Sequence, residues 1–162
     1  MKKKYYLCII SVILLVFFDW LTKHLIVSSF ALGKSIIIIK NFLKICYIKN
    51  YGASFGMLSG NTIILIALTI LILVYLFKEI KNNKDNNLLL MSSTLIFSGA
   101  IGNLIDRVFR GYVVDFISFT LFGREMAIFN VADIYITFGI IILIYCIFKE
   151  GNSERVNSRR RK

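Results

Sequence analysis

The chain is predicted to be an all-α membrane protein. It reads as four transmembrane helices, a small extracytoplasmic cap of β-strands, and an interfacial segment between helices three and four. Three observations predict this. Of the 162 residues, 57% are hydrophobic and none is proline, and the mean hydropathy is +0.74; soluble domains run at about 45–50% apolar. Four apolar stretches each approach the roughly 20 residues that a helix needs to cross a bilayer. The basic residues collect at the ends of these stretches rather than along them.

The first stretch, about residues 5–28, follows Lys2-Lys3-Lys4 and so begins like a secretory signal peptide. It runs on into FFDWLTKHLIV where a small-residue cleavage site would stand, and is therefore read as a retained helix. Cys8 has no apolar run upstream and no small residue before it, so the chain is not read as a lipoprotein itself. Residues 29–60 read as the cap: SIIIIK and FLKICYIKN are β-branched runs separated by Asn41, and the glycine-rich YGASFGMLSG follows. The second helix, about 61–77, is apolar all round and is expected to face lipid. The third covers about 87–108. The connection GYVVDFISFTLFGREMAIF is too apolar for a free loop and is expected to lie along the interface as a short helix or strand with aromatic anchors. The fourth helix is placed at about 127–148. Residues 1–150 form one membrane domain, and the basic tail 151–162 reads as a disordered anchor near anionic lipid.

Charge sets the orientation. Lys2, Lys3 and Lys4, then Lys78, Lys81 and Lys84, then Lys149, Arg155, Arg159, Arg160, Arg161 and Lys162 make up 12 of the 20 basic residues. The positive-inside rule places these three segments, and with them both termini, in the cytoplasm. The net charge of +11 lies at helix ends, which argues against a nucleic-acid partner. Cys8, Cys46 and Cys146 make no CxxC or Cys/His cluster, so metal and redox chemistry are poor readings.

Away from those cytoplasmic segments the acids are Asp19, Asp106, Asp115, Glu125 and Asp133. Each aspartate falls within or at the outer end of an apolar stretch. An aspartate at mid-helix costs about 2.5–3.5 kcal/mol to insert, so such residues are candidates for function. Asp19 and Lys23 stand at the spacing of an intrahelical ion pair and read as structural. Asp106 and Arg107 read either as an interfacial charge pair or as support for a site, and His24 as an interfacial side chain. Asp115 and Asp133 have no basic residue three or four positions away, and the 17 residues between them can double back. Two carboxylates in a dry site share a proton, which suits general acid–base hydrolysis. Asn130 and Asp133, three apart, are expected to share a helix face. Asn103, Asp106 and Arg107 are expected to cluster on helix three, where Gly99 and Gly102 thin the wall.

DWLTK (19–23), NYGASFG (50–56), GAIGNLIDR (99–107), VVDF (113–116) and FNVAD (129–133), in that order, resemble lipoprotein signal peptidase, also called signal peptidase II. The resemblance runs from about Asp19 to Gly139. It implies a bacterial intramembrane aspartic peptidase with Asp115 and Asp133 as catalytic dyad and no metal or cofactor. The implied partners are membrane lipid and a prolipoprotein substrate, cut before a cysteine that carries diacylglycerol. The inhibitor associated with the family is globomycin, and the enzyme is expected to be a monomer. The resemblance puts Asn50, Gly52, Asn103, Asp106, Arg107, Asn130 and Ala132 around the dyad and the substrate. It leaves Asp19 and Lys23 as a structural motif, with Gly52, Gly56, Gly99 and Gly102 permitting close backbone approach. Two positions depart from the pattern: Trp20 stands where glutamine is usual, and Ile134 where serine is common. The loss of a hydroxyl at 134 is expected to alter the titration of the dyad. The alternatives from other classes are a small proton-coupled transporter and a non-enzymatic membrane scaffold.

Overall fold

The computed structural model describes residues 2–53, 57–83 and 86–160, with side chains for 3–53, 57–83 and 86–149. Of the residues singled out above, Gly56, Lys84, Arg161 and Lys162 lie outside it, as do the side chains of Lys2, Arg155, Arg159 and Arg160. The elements run α1 (Lys2–Ser29), β1 (Ser35–Ile39), β2 (Leu43–Asn50), α2 (Thr62–Asn82), α3 (Asn87–Arg110), β3 (Val113–Leu121), β4 (Arg124–Phe129) and α4 (Val131–Arg160). All four helices are long and apolar enough to cross a membrane.

α3 is the central helix. It packs against α1, α2 and α4, and half of its most apolar window is buried. Small residues allow this, because a bundle in lipid is held by close backbone packing rather than by hydrophobic exclusion from water. A Cβ on Gly99 would stand 2.2 Å from the Ala132 carbonyl oxygen of α4, and one on Gly139 would stand 2.9 Å from the Ser92 carbonyl oxygen of α3. α1 and α2 instead present most of their apolar surface outward, as expected of helices solvated by acyl chains. Asn86 caps the start of α3 by accepting from the Leu89 N–H. Gly111, at φ 77°, ends it in the left-handed conformation that glycine adopts without strain.

The two long connections, α1 to α2 and α3 to α4, are not separate features. β1 and β2 from the first pair with β3 and β4 from the second in one antiparallel sheet, in the order β1-β2-β3-β4. The segment expected to lie along the interface thus forms the second half of the cap, the central strand β3 and the edge strand β4. Its register sets Ile48 opposite Asp115 and Asn50 opposite Val113. Val114 and Phe116 of β3, with Tyr47 of β2, seal against Ile26 near the end of α1. β1 is exposed along its whole length, four isoleucines included, a surface suited to a bilayer interface and not to water.

Two boundaries differ from the sequence reading. α4 begins at Val131 rather than Ala127, because Ala127–Phe129 pair with β3 as the end of β4. An apolar triplet reads equally well as strand or helix start when its partner strand is not in view. At its far end α4 continues to Arg160, past residue 148 where the sequence reading ends it. Residues 150–160 contain one glycine and no proline, and extending a formed helix adds one hydrogen bond per residue fixed.

Candidate active site

The start of α4 explains why an aspartate stands at the edge of an apolar span. Asn130 is not on the helix; it caps it. Its Oδ1 accepts the Asp133 N–H at 3.0 Å, and Asp133 Oδ2 accepts the Asn130 N–H at 3.1 Å. This is a reciprocal capping box, with asparagine at the N-cap and aspartate at the third helical position. Asp133 therefore satisfies an otherwise orphaned backbone donor and sits in the favourable field at a helix N-terminus. The expectation that the two residues share a helix face is replaced by this tighter relation.

The cap also reaches the second carboxylate. Asn130, fully buried, donates from Nδ2 to Asp115 Oδ1 at 2.7 Å. Asp115 Oδ2 accepts from Asn50 Nδ2 at 2.8 Å, while Asn50 Oδ1 takes the Gly52 N–H at 2.9 Å in an Asx turn. The remaining oxygen of Asp133, Oδ1, accepts from Asn103 Nδ2 at 2.8 Å. Each carboxylate oxygen of the pair thus has one N–H donor. Burial above all, and then the charge of Asp133, push the Asp115 carboxyl up to about 6; the Asn50 and Asn130 hydrogen bonds and the Lys23 charge act in the opposite direction.

Beneath the pair lies a buried ionic node. The Lys23 ammonium meets Asp19 Oδ2 at 2.8 Å, Asn103 Oδ1 at 2.8 Å and Asp106 Oδ2 at 3.3 Å. Asp106 also binds Arg110 Nε at 3.1 Å and accepts the Val114 N–H at 3.1 Å. Asp19 Oδ1 accepts the Ala132 N–H at 2.8 Å. The Asp19–Lys23 pair forms as its spacing predicts. Asp106 and Arg107 do not pair with each other, because adjacent helical residues diverge by about 100°. Arg107 turns the other way and donates to the Gly52 carbonyl at 3.0 Å and to the Asn103 carbonyl at 3.5 Å.

Asp115, Asp133, Asn50, Asn103 and Arg107 line the polar end of a cavity of about 730 Å³. Its helical walls are mostly apolar: Ile72 and Leu76 of α2, where Thr69 and Tyr75 also line it, Ile96 and Ala100 of α3, and Ile136, Ile140 and Leu143 of α4. Leu143 lies ten residues below Asp133, so the slot descends about 15 Å alongside the helices. Its α2 wall carries no motif, and only the fold reveals it. Gly139 is a further residue the sequence reading passed over; a glycine 40 residues from Gly99 gives no local signal of the contact it permits. Ala132 is fully buried, and its carbonyl is the atom pressed against Gly99.

A model of the family described as "Signal peptidase (SPase) II" matches residues 11–149. The chain belongs to that family. It is 41% identical over 158 residues to a "Lipoprotein signal peptidase" of Staphylococcus haemolyticus, covering 95% of this chain and 99% of that one. To a protein of the same name from Staphylococcus aureus it is 38% identical, covering 96% and 97%. Two solved structures, each titled as a bacterial membrane enzyme obtained by the in meso method, share the fold. One has a TM-score of 0.82 and 38% identity, covering 90% of both chains. The other has a TM-score of 0.78 and 39% identity, covering 88% of this chain and 92% of the other. This signal peptidase II family member is thus a multi-pass bacterial membrane peptidase that removes signal peptides from prolipoproteins, which displaces the transporter and scaffold alternatives. The two departures from the family pattern, Trp20 and Ile134, are both at exposed positions. Trp20 is exposed and stacks between Phe17 and His24, with ring centroids 5.9 and 5.3 Å away. Ile134 is 37% exposed.

Proposed function

We propose that the chain is an aspartic endopeptidase whose dyad is Asp115 and Asp133. It cleaves diacylglyceryl-modified prolipoproteins before the lipidated cysteine. The observation that carries this reading is the bridging of two buried carboxylates by one asparagine, at the polar end of a slot that is otherwise mostly apolar. The polar end suits a peptide backbone, with Asn50, Arg107 and the Gly52 segment beside it, and the slot suits an acyl chain that enters sideways from the bilayer.

In its reactive state the pair carries one shared proton, because two charges in a desolvated site repel. The ionised carboxylate takes a proton from water while the water oxygen bonds to the scissile carbonyl carbon. The protonated carboxyl donates to the carbonyl oxygen as it becomes tetrahedral. Collapse re-forms the carbonyl, returns a hydroxyl proton to the carboxylate that had donated one, and breaks the C–N bond as the proton taken from water passes to the departing amine. No group beyond these residues and water takes part in these steps.

The orientation follows from charge. Lys4 donates to Asn87 at the first turn of α3, the end opposite Asn103, Asp106 and Arg107. With the basic ends of the helices in the cytoplasm, both termini are cytoplasmic and the dyad lies near the outer face. The enzyme acts as a monomer within the lipid bilayer, and globomycin is expected to inhibit it.

The test is cleavage of a purified diacylglyceryl-modified prolipoprotein, with and without globomycin. Asp115→Asn and Asp133→Asn are each expected to abolish turnover while the protein still inserts and melts cooperatively. Substantial turnover by either variant overturns the dyad. Equal cleavage of the unlipidated precursor overturns the role of the slot.

A further inference from the structure

Three asparagines donate to the two aspartates, and each has its amide turned by a group that can only donate. Asn50 Oδ1 faces the Gly52 N–H, and Asn130 Oδ1 faces the Asp133 N–H. Both are backbone donors, which no substitution short of proline removes. Asn103 Oδ1 faces the Lys23 ammonium. An ammonium has three donors and no acceptor, so it accepts only the oxygen side of that amide and leaves the NH2 side for Asp133.

We infer that Lys23 is a positioning residue for the dyad: it holds Asn103 in the one orientation that donates to Asp133. This inference rests on the aspartic reading proposed above and assigns the structural Asp-Lys motif a task in the reaction. Lys23 is 1% exposed, and its three N–H groups have three acceptors, Asp19, Asn103 and Asp106. Those two carboxylates extend the same control to the backbone. Asp19 binds the N–H of Ala132 and Asp106 that of Val114, in each case the residue just before a dyad aspartate. A pair serving only to pack α1 against α3 would need none of these outward bonds, and apolar residues pack two helices at least as well as buried ions.

Without the lysine, Asn103 is free to turn over. Its oxygen then faces Asp133 Oδ1, two acceptors meet, and a proton must lie between them. The charged groups around Asp133 are Asp115 of β3, Lys23 and Asp19 of α1, and Asp106 and Arg107 of α3. Removing Lys23 takes away a cation near the ionised pair as well as the constraint on Asn103. Both changes move the acid limb of kcat/KM to higher pH.

The experiment is a functional cycle with charge balance kept. Lys23→Met/Asp19→Asn removes one charge of each sign and leaves Asp106 with Arg110. Lys23→Gln/Asp19→Asn keeps a hydrogen-bonding group in the node and serves where the methionine form does not fold. Each is combined with Asn103→Ala, and all are assayed on the lipidated prolipoprotein well below their melting temperatures. The double variants are expected to lose about 10- to 100-fold in kcat, as partners of a site's ligands do. Their acid limb is expected to rise by about one pH unit, or tenfold in proton affinity. Adding Asn103→Ala should cost less than about threefold more, since the lysine acts through the asparagine. Multiplicative losses, or an unmoved pH profile with reduced turnover, overturn the inference. Asp115→Asn and Asp133→Asn, run alongside, separate the cases: turnover there defeats the dyad itself, whereas dead dyad variants with a multiplicative cycle defeat only the role of Lys23.

Discussion

Gly99→Ala tests how closely the reaction depends on helix spacing. The added methyl would stand 2.2 Å from the Ala132 carbonyl oxygen and 2.7 Å from Ile136 Cγ1, where ordinary contact begins at 3.4 Å. The isoleucine can change rotamer, but the carbonyl belongs to the first turn of α4 and cannot. α3 and α4 must therefore part by about 1 Å at that level. Overpacking of this kind costs about 1–3 kcal/mol, or roughly 2–12 °C in melting temperature for a chain of this size. The larger effect falls on catalysis. Asp133 follows Ala132 directly, and its bond to Asn103 spans the same interface at 2.8 Å. A displacement of 1 Å at a reacting group can cost about 100-fold in rate. Thermal unfolding in detergent and cleavage of a lipidated prolipoprotein, measured on one preparation, read both effects. Wild-type turnover with an unchanged melting temperature would refute the claim that this contact sets the position of Asp133.

The pH dependence has a stated sign. With Asp115 held near 6 beside an already charged Asp133, the singly protonated pair that the reaction needs is lost as pH rises, so turnover should fall as pH climbs through about 6. The same carboxyl binds its proton more tightly folded than unfolded, so the folded state loses stability as pH rises from about 3.8 to about 6. The melting-temperature gap between Asp115→Asn and the wild type should accordingly move in the variant's favour between pH 4 and pH 8; a constant gap would contradict the shift. Ile134→Ser restores the hydroxyl common in relatives. Because residue 134 is partly exposed and diverges from Asp133 by about 100° around the helix, the pH profile of cleavage should stay within about 0.3 units of the wild type. A larger displacement would show that a hydroxyl there does reach the pair.

Local chemistry was legible in the sequence, and long-range pairing was not. The four spans show as apolar length, and the Asp19–Lys23 pair as an i,i+4 spacing. The capping box at Asn130 and Asp133 was also open to reading, since its two members stand three apart ahead of an apolar run; only the preference for serine or threonine at its first position hid it. By contrast, nothing local joins β2 to β3. Ile48 and Asp115 lie 67 positions apart, with two membrane helices between them, and a strand's register is fixed by a partner that periodicity does not name. The other two partners of Lys23, Asn103 and Asp106, are hidden for the same reason, 80 and 83 positions away on another helix. The exposed β1 strand misleads in another way, because its isoleucines suggest a buried strand and are instead turned outward.

A single sheet built from both outer connections has a consequence for biogenesis. A nascent chain ending after α3 holds Asn50, Asn103 and Arg107 but neither aspartate of the pair. One ending after β3 has Asp115 in place, yet lacks the asparagine that bridges it and the carboxylate that completes it. The groups proposed for hydrolysis coexist only when α4 has begun, since Asp133 stands in its first turn, just after the cap at Asn130. Insertion of the last span and completion of the proteolytic centre are thus one event. Order of translation keeps the proposed centre incomplete until the last span is made.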